Sequence, residues 1–340
     1  MKQLLIFESM RIWVIVCLMV LIAWGSQLHA QSKNSMSQPV ICIHNEPLSR
    51  AARATNTSLQ LLGLKKKMEK RIFKAKFNTR FTAPPANVKR RFQVAESQFE
   101  NRTVYKISPK PGSGNVVIVY LHGGAYVNNL LRLHWNLISL LVEKTGATII
   151  IPDYPLAPSA NCIDVYAFLW RYMVEIESQY YGKRFIFMGD SAGGGLALGL
   201  AQYMRNEHRI LASKIIMLSP WLDLSMQNPE IDSVECFDKM LGKEALLQAA
   251  KLYAGSLPLD DYRVSPIYGS FDGLGEVSLF IGTHDILMPD CRKICHEFSE
   301  KGIAMRYYEY PSMFHVWMVA GSLPEARHAT DEIIRLVREE

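Results

Sequence analysis

The run Arg184–Met188 (RFIFM), the turn Gly189-Asp190-Ser191-Ala192-Gly193 and the Ala/Leu-rich stretch Gly194–Tyr203 constrain this chain more than any other feature. They read as a buried strand, a tight turn and a helix. In such a turn the strand end and the helix start nearly touch, so the residues two before and two after the serine must be small. Gly189 and Gly193 meet that demand, and Ser191 would sit at the tip with its hydroxyl in a cleft. A Gly-rich strand-to-helix turn also cradles phosphates. By itself the turn therefore leaves a nucleophile and an anion site open.

The flanking pattern fixes the fold class. Strands are predicted at Arg91–Val94, Thr103–Ile107, Val116–Leu121, Ala147–Pro152, Arg184–Met188, Lys214–Leu218, Val277–Gly282 and Met305–Tyr310. Helices are predicted at Leu48–Asn78, His134–Lys144, Ile163–Tyr180, after the elbow, at Cys291–Lys301 and at Pro324–Glu340. Strands that alternate with helices imply βαβ units, and hence a mostly parallel, eight-stranded sheet with helices on both faces. The alternation breaks between Trp221 and Leu257, where helical segments follow one another. An insertion after a strand's carboxyl end lies where open α/β sheets bind ligands. With the N-terminal helices it would form a cap. The expected layout is an export segment over 1–30, cap helices over 31–85, the core over 86–220 and 258–340, and a cap insertion over 221–257.

The export segment is read from Lys2 and Arg11, the apolar run Ile12–Trp24 and the small residue Ala30. The run is short for a membrane span, which needs about 20 residues. Leu28 fits poorly two positions before Ala30, so an uncleaved anchor is the alternative to an exported, processed protein. Six cysteines (Cys17, Cys42, Cys162, Cys236, Cys291, Cys295) show neither a C-x-x-C pair nor a disulfide framework. The net charge of +6 is concentrated: Lys65–Arg91 holds eleven Lys/Arg and one acid, Glu69. Such a run reads as a solvated helix face, or as a surface for peripheral contact with anionic lipid or polymer. Phe73, Phe77 and Phe81 recur at helical spacing, which marks a buried stripe and argues against a nucleic-acid platform.

A serine hydroxyl needs a base, and the base needs a carboxylate to fix its tautomer. Of nine histidines, His315 lies just past the strand Met305–Tyr310, at the sheet edge where the elbow emerges. Asp285 follows the strand Val277–Gly282 at that same edge, and Asp290 beyond it is expected to cap the next helix. Ser191, Asp285 and His315 are the expected catalytic residues. His122-Gly123-Gly124 directly follows the strand Val116–Leu121. Gly123, Gly124 and Ala192 are the expected backbone donors to an oxyanion, and His122 the residue that steadies their loop. Tyr126, Trp221 and Leu222 are candidate substrate-pocket residues. No H-E-x-x-H or comparable ligand cluster occurs, so neither metal nor cofactor is expected.

HGGAY (122–126), DYPLAP (153–158), GDSAGG (189–194), SPWLDLS (219–225), GTHDIL (282–287) and the MFH ending at His315 together resemble the hormone-sensitive-lipase-like branch of the α/β-hydrolase fold. The resemblance implies a cap built from the N-terminal region and an insertion. It also implies cleavage of carboxylic esters or lactones through an acyl-enzyme, and a capped site with Trp221 and Leu222 among its candidate lining suggests a short- to medium-chain acyl group. Family members often carry a third glycine where Ala125 stands, and Arg and Glu where Pro155 and Ser159 stand. Two alternatives share the fold: a catalytically silent ligand-binding protein, and an amidase or deacetylase using the same triad.

Overall fold

The computed structural model describes residues 38–110, 112 and 114–339. The export segment and Cys17 lie outside the described residues. Among the described residues no helix is long and apolar enough to cross a membrane.

In chain order the elements are β1 (Val40–Ile43), α1 (Arg50–Leu61), α2 (Leu64–Phe73), α3 (Ala86–Arg91), β2 (Gln93–Phe99), β3 (Arg102–Ser108), β4 (Val116–Leu121), α4 (His134–Thr145), β5 (Thr148–Pro152) and α5 (Cys162–Glu177). There follow β6 (Arg184–Asp190), α6 (Ala192–Asn206), β7 (Lys214–Leu218), α7 (Ile231–Glu235), α8 (Lys243–Ala254), β8 (Glu276–Gly282), α9 (Met288–Glu300), β9 (Met305–Tyr310) and α10 (Pro324–Arg338). One sheet runs in the order β1-β9-β8-β7-β6-β4-β5-β3-β2. β2 and β3 are antiparallel to each other, and β3 to β5; the other pairs are parallel.

The sheet has nine strands rather than eight. The addition, β1, pairs in parallel with β9 from Val40 opposite Arg306. It is only four residues long, and its Val40, Ile41 and Ile43 are exposed, so neither length nor alternation marks it in the sequence. The helix expected over 48–78 is two helices that stop at Phe73. Gly63 separates them in the left-handed region (φ 58°), which ends α1 and turns the chain into α2. Ser49 caps α1 by accepting the Ala52 N–H (3.0 Å), while its own N–H and hydroxyl donate to the Glu325 carboxylate of α10.

The central strands are apolar on both faces because both faces are covered. Along β4, Val117, Val119 and Leu121 join the core under α5, α6 and the cap. Ile118 and Tyr120 join the core under α4 and α10. This two-sided burial fixes the register of β4, β6, β7 and β8, so their carboxyl ends finish side by side at one edge.

Candidate active site

Ser191, Asp285, His315 and the His122–Ala125 turn all leave the sheet at that edge. The turns there are stapled to one another through the backbone. Ser191 N donates to Leu218 O at the end of β7 (2.8 Å), and Ser219 N donates to Phe280 O of β8 (2.7 Å). Val316 N donates to Ser219 Oγ (3.1 Å), and His284 N to Met313 O (3.0 Å). The segments bearing Ser191, Asp285 and His315 are thus anchored on adjacent strand ends.

Ser191 has φ 54°, ψ −124°, a conformation that L-residues avoid and that a nucleophile elbow imposes. The glycines explain how the chain tolerates it. A Cβ on Gly193 would overlap the Leu121 carbonyl, and one on Gly189 the Gly193 carbonyl. His315 Nδ1 lies 2.8 Å from Asp285 Oδ2, with the carboxylate fully buried. The other Asp285 oxygen accepts the Leu287 N–H (3.0 Å), which fixes the carboxylate's angle. Burial works against charge on His315, but Asp285 opposite, with Asp238 and Asp190 further off, holds its pKa above the ordinary value. Among the described residues nothing bonds Ser191 Oγ or His315 Nε2, so both are available to a reacting group.

Two further carboxylates surround this pair, and the sequence reading passed over both. Asp238, on the cap insertion, accepts the N–H groups of Met240 and Leu241 through Oδ1 and that of Ile286 through Oδ2 (2.9 Å). It therefore ties the cap to the residue after Asp285. Burial, then the Asp285 charge, raises its pKa. Asp190 sits beneath the elbow, where its Oδ1 accepts from Tyr120 Oη (2.8 Å) and Gly123 N (3.1 Å) and its Oδ2 faces His134 Nε2 (3.2 Å). Burial opposes ionisation of both groups, yet their mutual attraction raises the His134 pKa and lowers that of Asp190. This ion pair fastens α4 to the end of β6, and the Gly123 N–H bond to Asp190 fastens the loop after β4 there as well. Asp190 occupies the first variable position of the G-x-S-x-G turn, which is the only sequence signal it gives.

That fastening bears on the expected donors Gly123, Gly124 and Ala192. The Gly123 N–H is spent on Asp190 and cannot also face a substrate. Among the described residues no acceptor takes the N–H of Gly124, Ala125 or Ala192. Gly124 and Ala125 carry positive φ (129° and 53°), which turns this stretch of backbone outward. Gly123 is instead glycine for room, since a Cβ there would overlap the Asp190 carboxylate. The backbone N–H groups left without an acceptor at this edge are therefore those of Gly124, Ala125 and Ala192. His122 is buried, stacks on Tyr154 (4.4 Å between centroids) and sits with Nδ1 2.7 Å from Gly123 O. Burial pushes its pKa down to about 4, so at neutral pH the ring is uncharged and its Nδ1–H donates to that carbonyl.

Holding an alanine in the left-handed region costs roughly 1–2 kcal/mol, partly offset by the lower chain entropy of alanine. Ala125→Gly should therefore raise unfolding stability by about 1 kcal/mol and leave kcat within twofold, because the donor is backbone. Urea denaturation and p-nitrophenyl ester kinetics read both quantities.

Tyr126, Trp221 and Leu222 are fully buried and pack behind the elbow. Tyr126 stacks on Tyr253 of α8 (3.6 Å) and lies 6.0 Å from Trp221, while the Trp221 carbonyl abuts Gly195 of α6. They leave little solvent-facing surface. Asp290 departs from its expected role as well. Leu287 precedes α9, and Asp290 lies inside the first turn with Oδ1 accepting from Asn228 Nδ2 (2.9 Å). Its other oxygen is buried without a partner. Burial, reinforced by the Asp223 charge, lifts its pKa to about 6. A carboxyl whose folded pKa exceeds its unfolded one (about 3.9) destabilises the fold once ionised. That cost is absent below about pH 4, grows as pH rises to 6 and is constant above it. Asp290→Asn should gain on the order of 1–2 kcal/mol at pH 7.5 and nothing at pH 4, measured by urea unfolding at the two pH values.

The sequence pattern of the alpha/beta hydrolase fold matches residues 118–319, more than half of the chain. The chain belongs to the α/β-hydrolase fold family. Within this family it is 28% identical over 227 residues to a triacylglycerol lipase of Mycobacterium tuberculosis, covering 66% of this chain but only 47% of that lipase. It is 29% identical over 226 residues to an esterase of Acinetobacter venetianus, covering 65% of this chain and 74% of the esterase. Its fold superposes on the crystal structure of an esterase from the bacterial hormone-sensitive lipase family with TM-score 0.72 at 22% identity, over 86% of this chain and 99% of that one. For an α/β-hydrolase, Ser191 after β6, Asp285 after β8 and His315 after β9 follow the chain order that the fold requires.

Proposed function

We propose that this α/β-hydrolase is a serine carboxylesterase that cleaves short- to medium-chain esters or lactones through an acyl-enzyme. The observation that carries this reading is the buried Asp285–His315 pair at one sheet edge with Ser191, whose elbow presents unbonded backbone donors. His315 Nε2 accepts the Ser191 proton as Oγ attacks the ester carbonyl. The N–H groups of Gly124, Ala125 and Ala192 receive the oxyanion. His315, now an imidazolium balanced by Asp285, protonates the departing alcohol oxygen. Water then attacks the acyl carbon as His315 takes its proton, and the acid leaves as the bond to Ser191 Oγ breaks and His315 returns that proton to Oγ. The names of the lipase and esterase relatives support ester over amide cleavage.

Acyl length is argued from closure. Ser191 is 9% exposed and His315 6%, and Tyr126, stacked on Tyr253 and 6.0 Å from Trp221, is buried beside the elbow. Such a cleft suits a small acyl group better than a long chain. Rates for the p-nitrophenyl esters from acetate to palmitate should peak at or below octanoate. A maximum on emulsified palmitate would overturn the short-acyl reading. Action outside the cytoplasm is supported by Lys2, Arg11, the apolar run Ile12–Trp24 and Ala30.

A further inference from the structure

The cap has an outer face that ester cleavage does not use. Helix α2 turns Met68 and Ile72 toward the interior and lies on the cap insertion, where Lys65 N donates to Lys239 O (3.1 Å) and Lys65 Nζ pairs with Glu235 (3.2 Å). Glu69, the one acid of the basic run, faces inward against Gly242. Everything on the opposite side is cationic or apolar. Lys66, Lys70 and Phe73 follow one another at four- and three-residue steps along α2 and form a single exposed stripe, with Lys67 and Lys74 beside it and Leu61 and Leu62 at the turn that precedes the helix. Leu62 is 60% and Phe73 58% exposed, and Leu61 at the α1–α2 turn is 83% exposed. Among the described residues Lys66, Lys67, Lys70 and Lys74 make no ion pair, whereas Lys65 and Arg91 at the ends of the run each have one.

The position of this face matters as much as its chemistry. Under α2 lies the insertion whose Asp238 holds Ile286 next to Asp285. The stretch after α2 rests on the oxyanion loop: Asn78 N donates to Asn128 Oδ1 (2.8 Å), and Asn129 Nδ2 to Thr79 O (3.1 Å). The stripe is thus the outside of the layer whose inside closes the catalytic cleft.

We propose that the exposed stripe of α2, with the apolar α1–α2 turn before it, is a docking surface for a bilayer containing anionic phospholipid. Lysines supply attraction to the headgroups, and Leu61, Leu62 and Phe73 supply hydrocarbon that can enter the headgroup–acyl boundary. A soluble polyanion would satisfy the lysines but would leave these three apolar side chains in water. That difference favours the bilayer. The surface stands on its own geometry and does not depend on the identity of the nucleophile.

The test is a lysine footprint on the full chain. The purified protein is acetylated with an N-hydroxysuccinimide ester in buffer, with phosphatidylcholine vesicles, and with vesicles that also contain phosphatidylglycerol; modification at each lysine is read by mass spectrometry. Lys66, Lys67, Lys70 and Lys74 should be labelled at least fivefold more slowly with the anionic vesicles and unchanged with the neutral ones. Lys110 and Lys183, elsewhere on the surface, should not change in either. Leu62→Ser/Phe73→Ser should lose most of the protection while keeping its rate on soluble p-nitrophenyl acetate. Reading individual lysines makes the result independent of any insertion by the N-terminal apolar run. Equal labelling in all three conditions would overturn the proposal. So would protection by heparin that matches protection by vesicles and persists in the Leu62→Ser/Phe73→Ser variant, since the surface would then bind a polyanion by charge alone.

Discussion

Ser191→Ala is expected to reduce kcat on p-nitrophenyl butyrate by about a million-fold, with KM little changed. The magnitude follows from what removal of a triad serine costs in a serine hydrolase. The direction follows from the elbow. Ser191 is held at φ 54° by backbone contacts with Leu218 and by the two glycines around it, none of which involves Oγ. Alanine fits the same turn, so the variant should fold, melt within a few degrees of the parent and still bind ester. What it lacks is the atom that forms the acyl bond. The backbone donors remain, so a residual rate above that of water is expected from oxyanion stabilisation alone. A variant that turns over within tenfold of the parent would remove Ser191 from the mechanism.

Asp285→Asn should lower kcat by about ten-thousand-fold, the size of loss seen when a triad carboxylate becomes an amide. The structure gives the reason atom by atom. Oδ1 of Asp285 accepts the Leu287 N–H, so an asparagine keeps its oxygen there and turns its amide nitrogen toward His315 Nδ1. An N–H facing Nδ1 forces the imidazole proton onto Nε2, and the ring then has no lone pair for the serine proton. The pH profile should change too. In the parent the Asp285 charge and hydrogen bond hold the His315 pKa above its ordinary value of about 6.5 despite burial. The neutral, active base is therefore lost as pH falls through that raised value, and kcat/KM should decline on the acid side above pH 6.5. Without the carboxylate, burial should dominate and that limb should move to lower pH. An unshifted acid limb in Asp285→Asn would mean that another group sets it.

These residues were legible in the sequence because each sits at a strand end, and strand ends are marked by where apolar runs stop. Ser191, Asp285 and His315 follow β6, β8 and β9, and two-sided burial makes those strands conspicuous. Asp238 and the Asp190–His134 pair were not legible in the same way. Their role comes from approach in space: Asp238 reaches Ile286 across 48 residues of chain, and His134 reaches Asp190 across 56. No spacing rule brings either pair together. The oxyanion donors fall between the two cases. The His122–Ala125 segment announces an exposed backbone turn, but which N–H groups stay free depends on Asp190 taking that of Gly123. Strand β1 was missed for a physical reason as well, since a four-residue edge strand with exposed apolar side chains leaves no alternation to read. The contacts of Tyr126 have the same origin, since it stacks on Tyr253 of α8 by approach in space that no spacing rule shows.

The mechanism requires that Ser191 Oγ become acylated under the control of His315. A fluorophosphonate probe tests it directly, because it reacts only with a serine activated by its base and oriented toward an oxyanion site. Intact-mass measurement followed by peptide mapping should show one adduct per chain, on Ser191, formed at least a thousand-fold more slowly in His315→Ala. An unlabelled chain, or an adduct on another serine, would contradict the account.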